Sequence, residues 1–145
     1  MQLTIFTDYG LRTLIYVAAD PERRCSVREV AEHYGISRNH LVKVVHHLAL
    51  RGYLDSSKGK GGGIQLAKAP ETLRIGDVVR DLEPNMQMAE CFNRETNSCR
   101  ISSNCQLKHY LMEATNAFIA TLNRYTLADA VQDKSLFSAL IVRSG

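Results

Sequence analysis

Apolar side chains in the first twenty residues recur at the spacing of an α-helix. Asp20-Pro21 ends this pattern, because proline cannot continue a helix. Thr7 or Asp8 is positioned to cap its beginning. Four residues follow the spacing i, i+3, i+4, i+7 and so share one helix face: Leu11, Leu14, Ile15 and Ala18. The pattern therefore predicts an amphipathic first helix.

Two short helices follow, separated by a tight turn. The first begins after Ser26, and Glu29 is positioned to complete a capping box with it. Ser37 offers the N-cap of the second helix, whose apolar stripe lies within residues 38–50. Gly35 ends the first helix and allows the turn between them. Two short helices joined in this way predict a helix-turn-helix unit.

A β-hairpin is predicted directly after the helix-turn-helix. Residues 53–57 and 63–67 can each alternate as a short strand, and Lys58-Gly59-Lys60-Gly61-Gly62 between them has turn chemistry. A helix-turn-helix followed by a hairpin with a basic tip resembles a winged helix. A nucleotide-binding phosphate loop is the competing interpretation of the glycines. It fails because the G-x-x-x-x-G-K-[ST] order is missing and no helix begins after them.

The helical period returns in the second half of the chain. A helix beginning near Ile75 ends at or before Glu83-Pro84, because a residue before proline disfavours helical angles. Residues 85–105 show no sustained period and are predicted to form a loop. A short helix is expected at Thr126 to Asp129. Between them, a stripe predicts a helix of about twenty residues: Leu107, Leu111, Ala114, Phe118, Leu122 and Tyr125.

The long helix carries more apolar surface than one small domain covers. A dimer interface is the natural use of this surface, and the alternative is a helix that folds back over its own domain. The predicted fold is mainly α with a small β-hairpin wing. We divide the chain into a winged helix-turn-helix DNA-binding domain (1–83), a cysteine-bearing loop (84–105), a dimerisation helix with the following short helix (106–132) and a C-terminal tail (133–145).

The length and composition fit one compact domain, or a small domain with an appended element, and argue against disordered and collagen-like chains. The chain has 145 residues, of which 45% are apolar, and a formal net charge of +3. A chain of this length buries a core without metals or disulfides. Its beginning lacks a basic flank before a long apolar run, and no stretch approaches the ~18 consecutive apolar residues of a membrane span. We therefore expect a cytoplasmic protein without a membrane partner.

Positive charge is concentrated in the predicted DNA-binding unit. Residues 35–68 hold six basic side chains against a single acidic one, Asp55, a local net charge of +5 that suits a polyanion. An ordinary solvated surface is the alternative for the helix at 38–50. The candidate DNA contacts are Ser37, Arg38, Asn39, His40 and Lys43 in the helix, with His46 and His47 on the same polar side, and Lys58, Lys60 and Gly61 in the hairpin.

Three of the four cysteines lie close together in the predicted loop, as Cys91-x7-Cys99-x5-Cys105. Thiols stay reduced in the cytoplasm, so a metal or redox site is favoured over a disulfide. The spacing lacks the C-x2-C of zinc ribbons, whereas an iron-sulphur cluster tolerates wider spacing. Three free thiols are the alternative, and Cys25 is expected to be a small packing residue. The fourth ligand stays open, with Glu90, Glu95 and His109 as nearby candidates.

Four segments together resemble a known family of regulators. They are Phe6-Thr7-Asp8-Tyr9-Gly10-Leu11-Arg12, Ser37-Arg38-Asn39-His40-Leu41-Val42-Lys43-Val44-Val45, Gly59-Lys60-Gly61-Gly62-Gly63-Ile64 and Arg74-Ile75-Gly76-Asp77-Val78-Val79. With the three-cysteine loop, they are similar to the NsrR/IscR family of iron-sulphur winged-helix regulators. The combination of wing and three-cysteine loop is specific, although each motif by itself is not.

The resemblance implies a homodimer with one iron-sulphur cluster per subunit, bound by Cys91, Cys99 and Cys105. The cluster is [4Fe-4S] in the nitric-oxide-sensing branch, and [2Fe-2S] is the alternative. In that branch the fourth ligand resembles a carboxylate from the N-terminal helix of the other subunit, which corresponds here to Asp8 of the partner subunit. Arg12, one turn after Asp8, is placed to pair with it or to lie near the cluster.

The resemblance also implies a function. A transcriptional repressor, not an enzyme, would bind palindromic DNA operators in the cluster-bound state and release them when nitric oxide reacts with the cluster. One alternative is a regulator of cluster biogenesis, whose branch uses a histidine three residues after the last cysteine; this chain has Lys108 there, followed by His109. The other is an iron-sulphur redox protein without DNA binding, which no candidate nucleophile, acid-base pair or cofactor loop supports.

Overall fold

The computed structural model describes residues 1–133 and residue 135, so the predicted tail, 133–145, lies outside the described residues except for Asp133 and Ser135. The mainly helical fold with a hairpin wing is confirmed. The helices are α1 (Ile5–Ala19), α2 (Val27–Tyr34), α3 (Arg38–Leu50), α4 (Ile75–Leu82), α5 (Gln106–Leu122) and α6 (Leu127–Ala130). The strands β1 (Leu54–Ser57) and β2 (Gly63–Leu66) pair antiparallel, and short 3₁₀ turns cover Pro70–Thr72 and Glu90–Phe92.

Helix α1 begins one turn earlier than the sequence predicts. Thr4 is its N-cap, and the Thr4 hydroxyl accepts a hydrogen bond from the Thr7 backbone N–H at 3.3 Å. The prediction that Thr7 or Asp8 caps the helix is therefore wrong. Thr7 is fully buried, and Asp8 lies within the first turn, where the positive end of the helix dipole favours a carboxylate.

Helices α2 and α3 form the predicted helix-turn-helix. The Ser26 hydroxyl caps α2 by accepting a hydrogen bond from the Glu29 N–H at 3.0 Å. Gly35 has a left-handed φ of 65°, which lets the chain turn sharply between the two helices. Helix α3 has the predicted bounds, and Ser37 occupies its N-cap position without a capping hydrogen bond from its side chain.

The wing is anchored at its base to the loop that precedes α2. Cys25 and Ile64 exchange two backbone hydrogen bonds, of 3.1 Å and 2.7 Å. Gly63, beside this contact, has a φ of +133°, and a Cβ there would lie 2.7 Å from the Cys25 carbonyl oxygen. Only glycine allows this close approach, so the base of the wing is held against the helical unit.

The core lies between α1, α3 and α4, and α6 returns to it. The backbone N–H of Leu127, the first residue of α6, donates a 2.8 Å hydrogen bond to the Leu73 carbonyl. The short C-terminal helix therefore packs on the winged-helix unit. Almost fully buried side chains of this core are Leu14, Leu41, Leu48, Ile64, Val78 and Leu127.

Helix α5 leaves much of its apolar surface uncovered. It has 17 residues, fewer than predicted, because the chain turns at Asn123 after Leu122. Ile119 is its one buried residue within the described chain, whereas Leu107 is 60% exposed and Tyr110 is 61% exposed. One side of α5 packs on α4, and the opposite side presents these apolar residues to solvent.

Candidate nucleic-acid interface and cysteine loop

The first turn of α3 presents polar side chains to solvent. Ser37 at the N-cap, Arg38, Asn39 and His40 in the first turn, and Lys43 in the second turn are all exposed. The first turn contains no acidic residue. The first backbone N–H groups of a helix lack intrahelical partners, so together with the dipole they favour an anion such as phosphate. The arrangement suits contacts with base edges and phosphates in a major groove.

His47 lies on a different side of α3 from the one that the sequence predicts. It is half-buried, and its ring stands edge-on to Phe6 of α1 with 5.5 Å between the ring centroids. Its Nε2 lies 3.2 Å from the Asp81 carbonyl oxygen at the end of α4, where it can only donate. His47 therefore joins three helices, and placing it on the polar side was wrong because helical spacing alone does not show which neighbours surround α3. His46 is exposed, as predicted.

The tip of the wing is basic and exposed. Lys58, Lys60 and Gly61 are all exposed. The acidic residue of this region, Asp55, forms an ion pair with Arg24. Because the pair offsets the Asp55 charge, the field at the tip is governed by the lysines.

Arg24 is a residue that the sequence did not single out. Its guanidinium also donates to the Ser57 hydroxyl at 3.1 Å and to the Gly63 carbonyl at 3.3 Å. It therefore holds both strands of the wing from the loop before α2. A lone arginine in a predicted loop carries no signal for this role.

The four cysteines form no disulfide bond and differ in their surroundings. Cys25 is buried at the base of the wing, and burial raises the pKa of its thiol to about 11, so the thiol stays protonated at neutral pH. This confirms that Cys25 is a packing residue. Cys91 and Cys105 are half-buried, and Cys99 is exposed. The three loop thiols are thus free and near the surface.

A pair of hydrogen bonds closes the first half of the cysteine loop. The Glu90 carboxylate accepts from the Ser98 backbone N–H at 2.5 Å and from the Ser98 hydroxyl at 2.6 Å. The Ser98 hydroxyl lowers the pKa of Glu90, which therefore accepts these bonds as a carboxylate. Glu90 directly precedes Cys91, and Ser98 directly precedes Cys99. The bonds therefore bring the backbone at these two cysteines together across the long first spacing.

The third cysteine lies where α5 begins. Cys105 is the N-cap residue of α5, and the exposed His109 follows one helical turn later. Glu95 is exposed in the loop. Among the described residues, no three His, Cys, Asp or Glu side chains converge closely enough to hold a single metal ion. The donor set, rather than the present spacing of its members, is what fits an iron-sulphur cluster.

Asp8 and Arg12 form a bidentate ion pair on the exposed side of α1. Arg12 Nη2 lies 2.8 Å from Asp8 Oδ2, and Arg12 Nε donates to Asp8 Oδ1 at 3.2 Å. The two side chains are 44% and 45% exposed. Ile5, at the start of the same helix face, is 63% exposed. Asp8 is therefore accessible to a group from another molecule.

One protein-family profile matches nearly the whole sequence of this chain. The sequence profile of Rrf2, described as an iron-dependent transcriptional regulator, matches residues 3–133. The chain belongs to the Rrf2 family. Since the match runs from α1 to α6, the wing and the cysteine loop both lie within the Rrf2 unit.

Curated Rrf2 relatives are similar over nearly their whole length. The HTH-type transcriptional regulator NsrR of Shouchella clausii is 47% identical over 142 residues, which cover 97% of this chain and 95% of the relative. The regulator of the same name from Bacillus subtilis is 47% identical over 135 residues, 92% of each chain.

Two solved structures of other regulators have the same fold. IscR of T. potens superposes with a TM-score of 0.74 at 23% identity, covering 92% of this chain and 88% of that one. CymR, the global cysteine regulator of B. subtilis, has the same TM-score and identity and covers 91% of this chain and 97% of its own. At such identities the likeness establishes the winged-helix fold alone.

Three predictions are confirmed by these comparisons. The chain belongs to the family group it resembles, it has the winged-helix fold, and it is a transcriptional regulator rather than an enzyme. In the described part of the chain, no helix is long and apolar enough to cross a membrane.

Proposed function

We propose that this Rrf2 protein is a homodimeric repressor that binds one iron-sulphur cluster per subunit and senses nitric oxide in the cytoplasm. The observation that carries the proposal is the loop with three free cysteines, Cys91, Cys99 and Cys105, closed by the hydrogen bonds from Ser98 to Glu90. The relatives named NsrR support it through 47% identity over nearly the full chain.

Asp8 of the partner subunit is the proposed fourth ligand. Its accessibility on α1 supports this role, and a carboxylate suits a sensor because oxygen binds iron more weakly than thiolate does. Arg12 already holds the free carboxylate through two contacts. Arg12 therefore competes with ligation and receives Asp8 when the ligand is released.

The DNA-binding surface consists of the first turn of α3 and the tip of the wing. In the proposed dimer, two copies of α3 would read half-sites of a palindromic operator about one DNA turn, ~34 Å, apart. Arg38 and Asn39 suit base edges, whereas Lys58 and Lys60 suit phosphates.

The signal acts on the dimer through Asp8. When bound, the cluster supplies iron that reacts with nitric oxide. Release of Asp8 would remove a bond between the loop of one subunit and α1 of the other, and so relax the placement of the two recognition helices. A coupling of ~1 to 3 kcal/mol changes operator affinity roughly 5- to 150-fold.

The first experiment measures the absorption spectrum and operator affinity of anaerobically purified protein before and after addition of nitric oxide. We expect a coloured protein whose spectrum changes and whose operator affinity falls. Cys91→Ala, Cys99→Ala and Cys105→Ala should each remove the colour. Cys25→Ala is the matched control and should keep it, since Cys25 is a buried packing residue.

A colourless protein that holds zinc and keeps full operator affinity would refute the proposal. Mössbauer spectroscopy and native mass spectrometry identify the cluster. A [2Fe-2S] cluster that is indifferent to nitric oxide would instead identify a regulator of cluster biogenesis.

A mixed dimer tests whether Asp8 acts across the subunits. One subunit carries Asp8→Ala with intact cysteines, and the other carries Asp8 with all three loop cysteines replaced by alanine. Two affinity tags isolate this dimer after co-expression. If Asp8 acts across subunits, the mixed dimer has one complete site and gives half the wild-type cluster signal. A mixed dimer without this signal would instead assign Asp8 to the cluster of its own subunit, and a full signal in the Asp8→Ala homodimer would place the ligand elsewhere.

A further inference from the structure

Three consecutive residues at the end of α4 lead into the cysteine loop, and together they contact α1, α3 and the residue before the wing. They are Asp81, Leu82 and Glu83, which we call the Asp81–Glu83 segment. Pro84, the first residue of the loop, follows directly.

Glu83 binds the N-terminus of α1. Its carboxylate accepts hydrogen bonds from the backbone N–H and the hydroxyl of Thr4, each at 3.2 Å, and from the hydroxyl of the fully buried Thr7. The positive end of the helix dipole favours a carboxylate at this place. The turn of α1 that Glu83 holds is the turn that carries Asp8.

Leu82 fixes the distance between α1 and α4. It is 4% exposed, and a Cβ at Gly10 would lie 2.4 Å from Leu82 Cδ1. The helices approach this closely only because position 10 has no side chain. Leu82 therefore packs directly against the backbone of α1 at Gly10, so that a displacement of Leu82 acts on α1.

Asp81 holds the recognition helix and the wing. Its Oδ2 accepts a 2.7 Å hydrogen bond from the hydroxyl of Tyr53, which lies just before β1. Its carbonyl oxygen accepts from His47 Nε2 of α3 at 3.2 Å. Burial, followed by the bond to Asp81, raises the pKa of Tyr53 above its usual value, so the hydroxyl remains a donor.

The backbone at the start of the loop is constrained as well. Glu83 leaves the helix with φ −74° and ψ 124°, the extended conformation that a residue before proline favours. Pro84 has a fixed φ. Backbone rotation at Glu83 and Pro84 is therefore restricted, so a displacement of the loop also displaces the Asp81–Glu83 segment.

We propose that the Asp81–Glu83 segment couples the cysteine loop to the DNA-binding surface, with Glu83 positioning α1 and Asp81 positioning α3 and the wing. The proposal rests on the proposed function, in which the state of the loop changes operator affinity. Because the contacts lie within three consecutive residues, rearrangement of the loop moves α1, α3 and the wing together.

The deciding measurement is the ratio of operator affinities of the cluster-bound and the cluster-free dimer, from anaerobic fluorescence anisotropy. Glu83→Gln removes the charge that Thr4 and Thr7 bind. We expect it to keep the cluster spectrum and to lower the ratio roughly 2- to 30-fold. A merely structural role would weaken both forms equally and leave the ratio unchanged.

Further variants test the Glu83 contacts with α1 and the Asp81 contacts with α3 and the wing separately. Thr7→Val removes the hydroxyl that Glu83 accepts from, and Thr7→Ser restores a hydroxyl, so the ratio should fall in the first and recover in the second. Tyr53→Phe tests the Asp81 contacts and should also lower the ratio. Glu71→Gln, at an exposed carboxylate with no hydrogen-bond partner among the described residues, removes the same charge as Glu83→Gln and should leave the ratio unchanged.

Amide hydrogen exchange of the cluster-free protein gives an independent readout. Glu83→Gln should speed exchange at residues 5–9 of α1, whereas Glu71→Gln should not. If Glu83→Gln does not fold, the Thr7 pair and Tyr53→Phe decide the question.

The outcomes distinguish this proposal from the proposed function. A wild-type ratio of one would refute the proposed function, and the coupling with it. A wild-type ratio well above one that persists in Glu83→Gln, Thr7→Val and Tyr53→Phe would overturn the coupling alone.

Discussion

Glu29 joins α1, α2 and the loop between them through hydrogen bonds. Its Oε1 accepts from the Tyr16 hydroxyl and from Arg23 Nη2, both at 2.7 Å. The Arg23 hydrogen bond is the main reason that the pKa of Glu29 lies below its ordinary value of 4.5. Burial, then the bond to Glu29, raises the pKa of Tyr16 to about 12. One carboxylate thus ties the helix-turn-helix to α1.

Glu29→Gln is expected to lower the free energy of unfolding at neutral pH by ~1 to 2 kcal/mol, since a charge-assisted hydrogen bond in a partly exposed pair contributes about that. A lowered pKa means that this contribution is complete above pH ~4.5 and is lost as pH falls through the folded-state pKa. Urea unfolding at pH 7 and at stepwise lower pH measures it. Glu22→Gln, at an exposed carboxylate, is the control. A difference that stays constant into the acid range would contradict the prediction.

At the scale of elements, α3 and the wing are held by residues outside them. His47 bonds to the end of α4, and Arg24 holds both wing strands from the loop before α2. These contacts fix where the exposed first turn of α3 and the lysines of the wing stand relative to each other. A rigid pair of elements can contact a groove and its flanking phosphates together.

Mutations in the wing and in α3 should affect DNA binding differently. Lys60→Ala is expected to weaken binding to all DNA sequences alike and to reduce the slope of log K against log salt by about 1, because it removes one phosphate contact. Arg38→Ala should cost ~1 to 3 kcal/mol at the operator and relax base preference at one position. Salt titrations on operator and random duplexes measure both.

Arg124→Ala, at an exposed arginine after α5, is the control for charge and should change neither quantity. An unchanged salt slope in Lys60→Ala would remove the wing tip from the interface.

At the scale of the whole molecule, α5 is the long helix with the fewest buried residues in the described part of the chain. Leu107 and Tyr110 face solvent, while α6 returns the chain to the core through Leu127. The winged-helix unit thus packs around its own core, and no described residue covers the apolar face of α5 that Leu107 and Tyr110 form. We expect a second copy of the chain to cover this face.

Tyr110→Glu should raise the dimer dissociation constant at least about tenfold, because an aromatic residue buried in an interface contributes strongly and a carboxylate there is costly to desolvate. Sedimentation equilibrium measures the constant. Leu50→Glu, at an apolar residue of α3 that is 72% exposed, is the matched control and should leave it unchanged. Equal dissociation constants in Tyr110→Glu and wild type would place the interface on another face.

Local signals predicted much of the fold. The bounds of α3, the hairpin with its basic tip and the end of α4 before Pro84 follow from caps, glycines and proline, which act within a few residues. The cap of α1 was missed because Thr4, Thr7 and Asp8 all have side chains that can accept the capping hydrogen bond, and local spacing does not distinguish among them; in the structure the Thr4 hydroxyl accepts it.

The amino-acid sequence by itself determined the chemistry of this protein: a basic helix and wing, three thiols in one polar loop and an apolar stripe on a long helix. These depend on residue type and local spacing, which can be read directly. Only the tertiary structure decided that His47 turns inward, that Arg24 holds the wing and that Glu83 binds the helix carrying Asp8. Such contacts join residues distant in the chain, and their energies depend on packing that no local pattern encodes.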